Sequence, residues 1–215
     1  MTEANKDVDA GQAAYDREEY QTALKLWQPL ADQGNADAQY MIGFLYDQGK
    51  GVKGDCEEAL KWWHKAADQG HVWAQVQIGI YYCAGLVKQD YVEALKWFRK
   101  AADQEYHFAK YKIGEMYALG QGVKLDYAEA MRWFSAASTQ GDAMAQRALG
   151  KMFSEGIGVQ RDWAEAYFWW NLPTVRHLTF EEVSEVSKHL TPEQKSAVDK
   201  RVAEWEKNYP APPPK

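Results

Sequence analysis

Long hydrophobic runs, basic clusters and paired cysteine motifs are what this 215-residue sequence lacks. No window approaches the roughly 20 uninterrupted apolar residues that a membrane-spanning helix needs, so no span is expected. Asp and Glu number 31 against 25 Lys and Arg, the net charge is -6, and no basic run occurs. Phosphate neutralisation needs clustered Lys and Arg, so nucleic acid is not an expected partner. Cys56 and Cys83 are the two cysteines, and neither stands in a CxxC or Cys/His cluster. Neither a zinc site nor a disulfide framework is therefore indicated. Two packed thiols are the plain reading, and a bridge between them stays open, because the repeat register places both near the same end of neighbouring repeats. The opening "MTEANKDVDAG" is polar and has no apolar signal core. As written the chain is expected to be cytoplasmic; it would be periplasmic or secreted if an upstream signal peptide had been removed.

What is present is 46% hydrophobic residues, 26% charged residues and a repeat. This composition predicts a folded chain. The line "ALKWWHKAADQG" at 59–70 returns as "ALKWFRKAADQE" at 94–105. Aligned on recurring Gly and Ala positions, the chain holds four units, 35–70, 71–105, 106–141 and 142–174, with a period of 36 residues and one deletion in the second unit. A half unit and cap occupy 1–34, and "YQTALKLWQPLADQG" at 20–34 matches the second half of each repeat. Internal periods of 20 to 50 residues signal stacked solenoids.

Within a unit the apolar spacing is helical. Ala38, Ile42, Leu45 and Tyr46 share one helix face, and Ala59, Leu60, Trp63, Ala66 and Ala67 share another. Between them "GKGVKGD" breaks the helix, with glycines suited to positive φ and Asp55, Asp90, Asp126 and Asp162 placed as N-caps. Each unit is thus a helix hairpin. Gly43, Gly79, Gly114 and Gly150 fall mid-helix, where Gly costs roughly 1 kcal/mol against Ala, so close helix contact is the expected compensation. The bulky partners are Trp63, Phe98, Phe134 and Trp170, faced by Tyr46, Tyr82, Tyr117 and Phe153 in a stacked core. At the C-terminal end, "TFEE" at 179–182 and "TPEQ" at 191–194 read as capping boxes, opening two closing helices over 175–208. A Pro-rich tail fills 209–215.

A search for catalytic chemistry returns nothing. His64, His71, His107, His177 and His189 pair with no Cys, Asp or Glu at ligand or triad spacing, and no GxSxG or P-loop occurs. No enzyme, cofactor or metal is expected.

The pattern "AKYKIGEMYALGQGVKLDYAEAMRWFSAA" in the third unit resembles the Sel1-like repeat, a relative of the tetratricopeptide repeat with a longer inter-helix loop. The resemblance covers roughly Ala10 to Asn171; the second unit departs from it at Leu86 and the fourth after Asn171, where Pro173 replaces the Ala-Ala ending. It implies an all-α fold, a right-handed superhelical solenoid of tetratricopeptide-like hairpins with C-terminal capping helices. It also implies a concave surface lined by the first helix of each unit, where such arrays bind partners.

Transferred by similarity to tetratricopeptide proteins, the groove positions include Tyr40, Phe44 and Asp47, then Trp73, Val76 and Ile80, then Phe108, Tyr111 and Glu115, and finally Arg147 and Lys151. The aromatic and apolar members form a belt through three units, and the fourth turns charged. Exposed apolar patches with aromatic anchors and a polar rim mark interaction sites. The expected function is a non-enzymatic scaffold or adaptor that holds a peptide or protein segment in this groove, with Arg147 and Lys151 receiving an acidic end. An immunity or inhibitor protein that blocks a cognate bacterial toxin or enzyme is the alternative, and a homodimer through the apolar groove remains open. A hydrolase or carbohydrate-binding module would want a groove of carboxylates, and this one has few. A competing surface, the outward side of the second helices with Lys61, His64, Lys65, Lys96, Arg99, Lys100 and Arg132, suits solvent better.

Overall fold

The computed structural model describes residues 3–209, and among them the regular structure is entirely helical. In chain order the α-helices are α1 (Glu3–Asp16), α2 (Tyr20–Asp32), α3 (Ala36–Gln48), α4 (Cys56–Asp68), α5 (Val72–Ala84) and α6 (Tyr91–Asp103). They continue with α7 (His107–Leu119), α8 (Tyr127–Ser138), α9 (Ala143–Glu155), α10 (Trp163–Trp170), α11 (Phe180–Ser187) and α12 (Pro192–Asn208), and a 3-10 turn spans Arg176–Leu178. The chain divides between Gln104 and Glu105 into two compact units. The first holds the hairpins α1–α2, α3–α4 and α5–α6; the second holds α7–α8 and α9–α10, closed by α11 and α12. No described helix is long and apolar enough to cross a membrane.

The hairpins close on the predicted glycines. A β-carbon on Gly43 would stand 2.5 Å from the Trp63 indole, and one on Gly79 or Gly114 would stand 2.7 Å from the ring of Phe98 or Phe134. Gly11 makes the same approach to Trp27, so α1 and α2 pair as the later hairpins do. Where the ring is Trp, its indole N–H also donates to a first-helix carbonyl: Trp27 to Val8 at 3.2 Å, Trp63 to Tyr40 at 3.1 Å and Trp170 to Arg147 at 3.0 Å.

Loop chemistry follows the sequence closely. Asp55, Asp90, Asp126 and Asp162 each accept backbone N–H bonds in the first turn of α4, α6, α8 and α10. Gly51 takes φ +71°, and a side chain there would also meet the backbone of Tyr20 at 2.9 Å, so glycine is required on both counts. The shortened loop between α5 and α6 lacks that second glycine and leaves Leu86 exposed. No disulfide joins Cys56 and Cys83.

One expected cap is absent. Thr191 forms a full capping box with Gln194, and Pro192 opens α12. Thr179, by contrast, makes no side-chain cap; its buried hydroxyl donates to the carbonyls of Trp170 at 2.6 Å and Val175 at 3.2 Å. Helices α11 and α12 dock on α10, where Trp205 packs edge-on to Phe168 and Trp169, and Arg201 pairs with Glu165 at 2.7 Å. The Pro-rich tail lies, from residue 210 onward, outside the described residues.

Candidate functional site

The first-helix faces of the two units differ. In the first unit Tyr40 stacks on His71 with ring centroids 4.7 Å apart and meets Trp73 edge-on at 6.5 Å. Phe44 packs edge-on against Tyr15 at 6.2 Å, and the Tyr81 hydroxyl donates to Asp47. Burial, then the Asp47 carboxylate, pushes the Tyr81 phenol up. Val76 is buried and Ile80 half-buried, while Trp73 is 49% exposed. Of the anchors expected in this unit, Trp73 is the one that stands well out of its neighbours. Tyr40, Phe44 and Asp47 are used at least partly in contacts with the neighbouring first helices or their caps.

In the second unit the face opens into a cavity of about 660 Å³. Helix α7 contributes Tyr111, Glu115, Ala118 and Leu119; α9 contributes Met144, Arg147, Ala148, Lys151, Met152 and Glu155. Tyr127, Phe134, Ile157 and Trp170 complete the apolar lining, and Glu182 of α11 reaches in from the closing helices. Tyr111, Glu115, Arg147 and Lys151 are therefore brought together. Leu119 is 60% exposed and Met144 43%, large apolar side chains in contact with water at the rim. Phe108 packs against Tyr111 at 6.1 Å and is not part of the lining.

The charges of this cavity are already matched. Arg147 reaches Glu182 at 3.1 Å, Lys151 lies 4.0 Å from Glu155, and Lys112 pairs with Glu115. Glu115 also accepts from the Tyr111 hydroxyl at 2.8 Å. Burial raises the Tyr111 phenol first, and this hydrogen bond adds to it. An incoming acidic group must compete with Glu182 for Arg147. The lasting attraction of the cavity is thus its exposed apolar wall.

Three features escaped the sequence reading. Glu182 was assigned to a cap and instead closes the cavity. Gln39, Gln75 and Gln146 are buried, and each donates to a carbonyl eight residues earlier, that of Ala31, Ala67 or Ser138. Their recurrence four residues before Gly43, Gly79 and Gly150 was the available signal. In the third repeat Lys110 takes this position and pairs with Glu105, which itself takes φ +64° where Gly34, Gly70 and Gly141 stand in the other repeats.

The outward face of the second helices is self-neutralised. Lys61, Lys96 and Arg132 pair with Glu58, Glu93 and Glu129 one turn earlier, and Lys65 and Lys100 lie 3.7 Å over Trp62 and Trp97. Such a face suits solvent. Among the described residues no group of His, Cys, Asp and Glu is arranged to hold a metal ion.

A family model described as Sel1 repeat matches residues 11–35, 36–71, 74–106, 107–142 and 143–172. No curated protein sequence matches significantly. Among solved structures the chain is similar to a protective antigen of uropathogenic Escherichia coli strains that displays an SLR fold. The identity is 30% and the TM-score 0.86, over 96% of this chain and 46% of the antigen. The chain thus spans about half the length of that protein. A Sel1 repeat protein from Oxalobacter formigenes is 28% identical with TM-score 0.75, over 94% of this chain and 87% of its own. At 20% identity and TM-score 0.54, a Klebsiella pneumoniae structure matches 86% of this chain and 93% of its own, a likeness of fold alone.

Proposed function

The chain belongs to the Sel1 repeat family, and on that premise we propose that it is a non-enzymatic adaptor that binds a peptide or protein segment on the first-helix faces of its hairpins. Repeats of this family generally mediate protein–protein interaction. The observation that carries the finer reading is the cavity between α7 and α9, about 660 Å³ in volume, with Leu119 and Met144 exposed beside matched charges. Its size suits one or two anchoring side chains, and its apolar wall supplies the desolvation on which hot spots depend. In the first unit Trp73 offers a further aromatic anchor.

The test is affinity capture from lysate of the source organism with the intact chain and with a Trp73→Ala, Leu119→Asp, Met144→Asp variant. All three positions are exposed, so the variant keeps its helicity, which circular dichroism verifies. A partner held by the intact chain and lost by the variant supports the groove. Retention of the same partner by both sinks it. Sedimentation of both proteins separates a foreign partner from a second copy of this chain.

A further inference from the structure

Helix α11 has a second working side. While Glu182 reaches toward Arg147, the neighbouring Phe180, Val183, Ser184 and Ser187 line a separate cleft of about 300 Å³ with Tyr167, Arg176 and Lys195. Phe180 is 78% exposed at the first position of α11. The buried Thr179 hydroxyl, 2.6 Å from the Trp170 carbonyl and 3.2 Å from that of Val175, anchors the residue that precedes Phe180.

Two cations face this cleft without a carboxylate. Arg176 and Lys195 both line the cleft and make no ion pair or ring contact among the described residues, whereas Arg147 and Arg201, which also serve the closing helices, are paired with Glu182 and Glu165. Three acids of the closing helices are engaged elsewhere: Asp199 accepts from Asn171 at 3.2 Å and Tyr167 at 3.5 Å, Glu185 holds Lys188, and Glu182 holds Arg147. The lining contains no Asp or Glu. Ser187 donates its hydroxyl to the Ser184 carbonyl at 2.9 Å, and the Ser184 hydroxyl makes no hydrogen bond among the described residues. In a chain of net charge -6, this is a local site of the opposite sign beside an exposed aromatic ring.

We propose that the cleft binds an extended segment of a partner protein in which a carboxylate side chain lies next to an apolar one. The carboxylate would be received by the Arg176 guanidinium and the Lys195 ammonium, with the Ser184 hydroxyl as a further donor. The apolar neighbour would pack on Phe180 and Val183. At about 300 Å³ the cleft takes one such side chain, which favours a short linear segment. The inference is independent of the cavity between α7 and α9.

The test is a nitrogen-15 NMR titration of the full chain with acetyl-Leu-Asp-Leu-amide and with its neutral isostere acetyl-Leu-Asn-Leu-amide. The acidic peptide should give saturable shifts at Arg176, Phe180 and Ser184, and the neutral one should bind at least about tenfold more weakly. The Arg176→Gln, Lys195→Gln variant should lose the difference, and Leu119→Asp should leave it unchanged. All these positions are at or near the surface, and circular dichroism verifies each fold. Equal response to the two peptides, no saturable shift at these residues, or undiminished binding by the double variant would overturn the proposal.

Discussion

Trp170 lies across Gly150 so closely that a β-carbon on the glycine would stand 2.3 Å from the indole Nε1, which donates to the Arg147 carbonyl at 3.0 Å. The glycine thus gives up helix propensity to admit the ring. Gly150→Ala should regain roughly 1 kcal/mol of propensity yet lose more to overpacking, which costs about 1–3 kcal/mol, and it should loosen the indole bond. The net expectation is a variant destabilised by about 1 kcal/mol in urea denaturation. Equal or greater stability would mean that the ring moves aside freely.

Two of the aromatic residues expected in the groove, Trp73 and Tyr111, should separate by function. Trp73, 49% exposed, should tolerate replacement by Ala with less than about 1 kcal/mol lost, as surface positions do. Tyr111 is buried, packs on Phe134 at 5.8 Å and bonds Glu115, so Tyr111→Ala should cost about 3 kcal/mol or more. Chemical denaturation of the two variants checks this. Similar losses would mean that both rings have the same structural role.

That contrast marks how far the sequence could be read. The hairpins were legible because each glycine and its aromatic partner obey a steric rule within one repeat, as Gly43 and Trp63 do. So were the Asp caps, which act within three residues. The expected groove could be written as a set of positions, but the exposure of each position could not be read from the sequence. Whether Val76 or Tyr111 is buried depends on packing between successive helices, which repeat spacing does not fix. Glu182 was misread because capping is a local rule and its partner, Arg147, lies 35 residues away. The buried Gln positions were visible as a repeat, but their acceptors are carbonyls, which leave no trace in side-chain patterns.

His71 gives a pH-dependent prediction. Its Nδ1 accepts from the Ala74 N–H at 3.2 Å as the N-cap of α5, and its Nε2 lies 3.3 Å from Asp37. Burial lowers its pKa below the ordinary 6.5, outweighing the opposing pull of Asp37. A lowered folded-state pKa means that the folded chain binds fewer protons than the unfolded chain. The stabilisation is therefore complete above about pH 6.5 and is lost as the pH falls through the folded value. Replacement by Asn, the residue that caps α3 at Asn35, should remove this loss between pH 7.5 and 5, and His71→Ala should cost about 1 kcal/mol at pH 7.5. Denaturation midpoints at the two pH values check both. A wild-type midpoint that falls no further than that of the Asn variant would refute the assignment.

The Lys110–Glu105 pair should behave as a replacement for two features of the other repeats at once. Lys110 is buried where Gln39, Gln75 and Gln146 stand, and its side chain, 9% exposed, is paired with Glu105. The pair and the associated hydrogen bond hold the Glu105 carboxyl below the usual carboxylate range. A lowered carboxylate pKa stabilises the fold above its unfolded value, and the effect disappears as the pH falls through the folded one. Glu105→Gln should therefore destabilise the chain at pH 7, and its difference from wild type should vanish in acid. Glu105→Gly alone relieves the left-handed backbone but strands a buried ammonium, whereas Glu105→Gly with Lys110→Gln restores the pattern of the neighbouring repeats. The double variant should be at least as stable as wild type while Lys110 without its partner is not, so the two changes should be strongly non-additive. Additive effects in a double-mutant cycle would mean that the pair is an incidental surface contact.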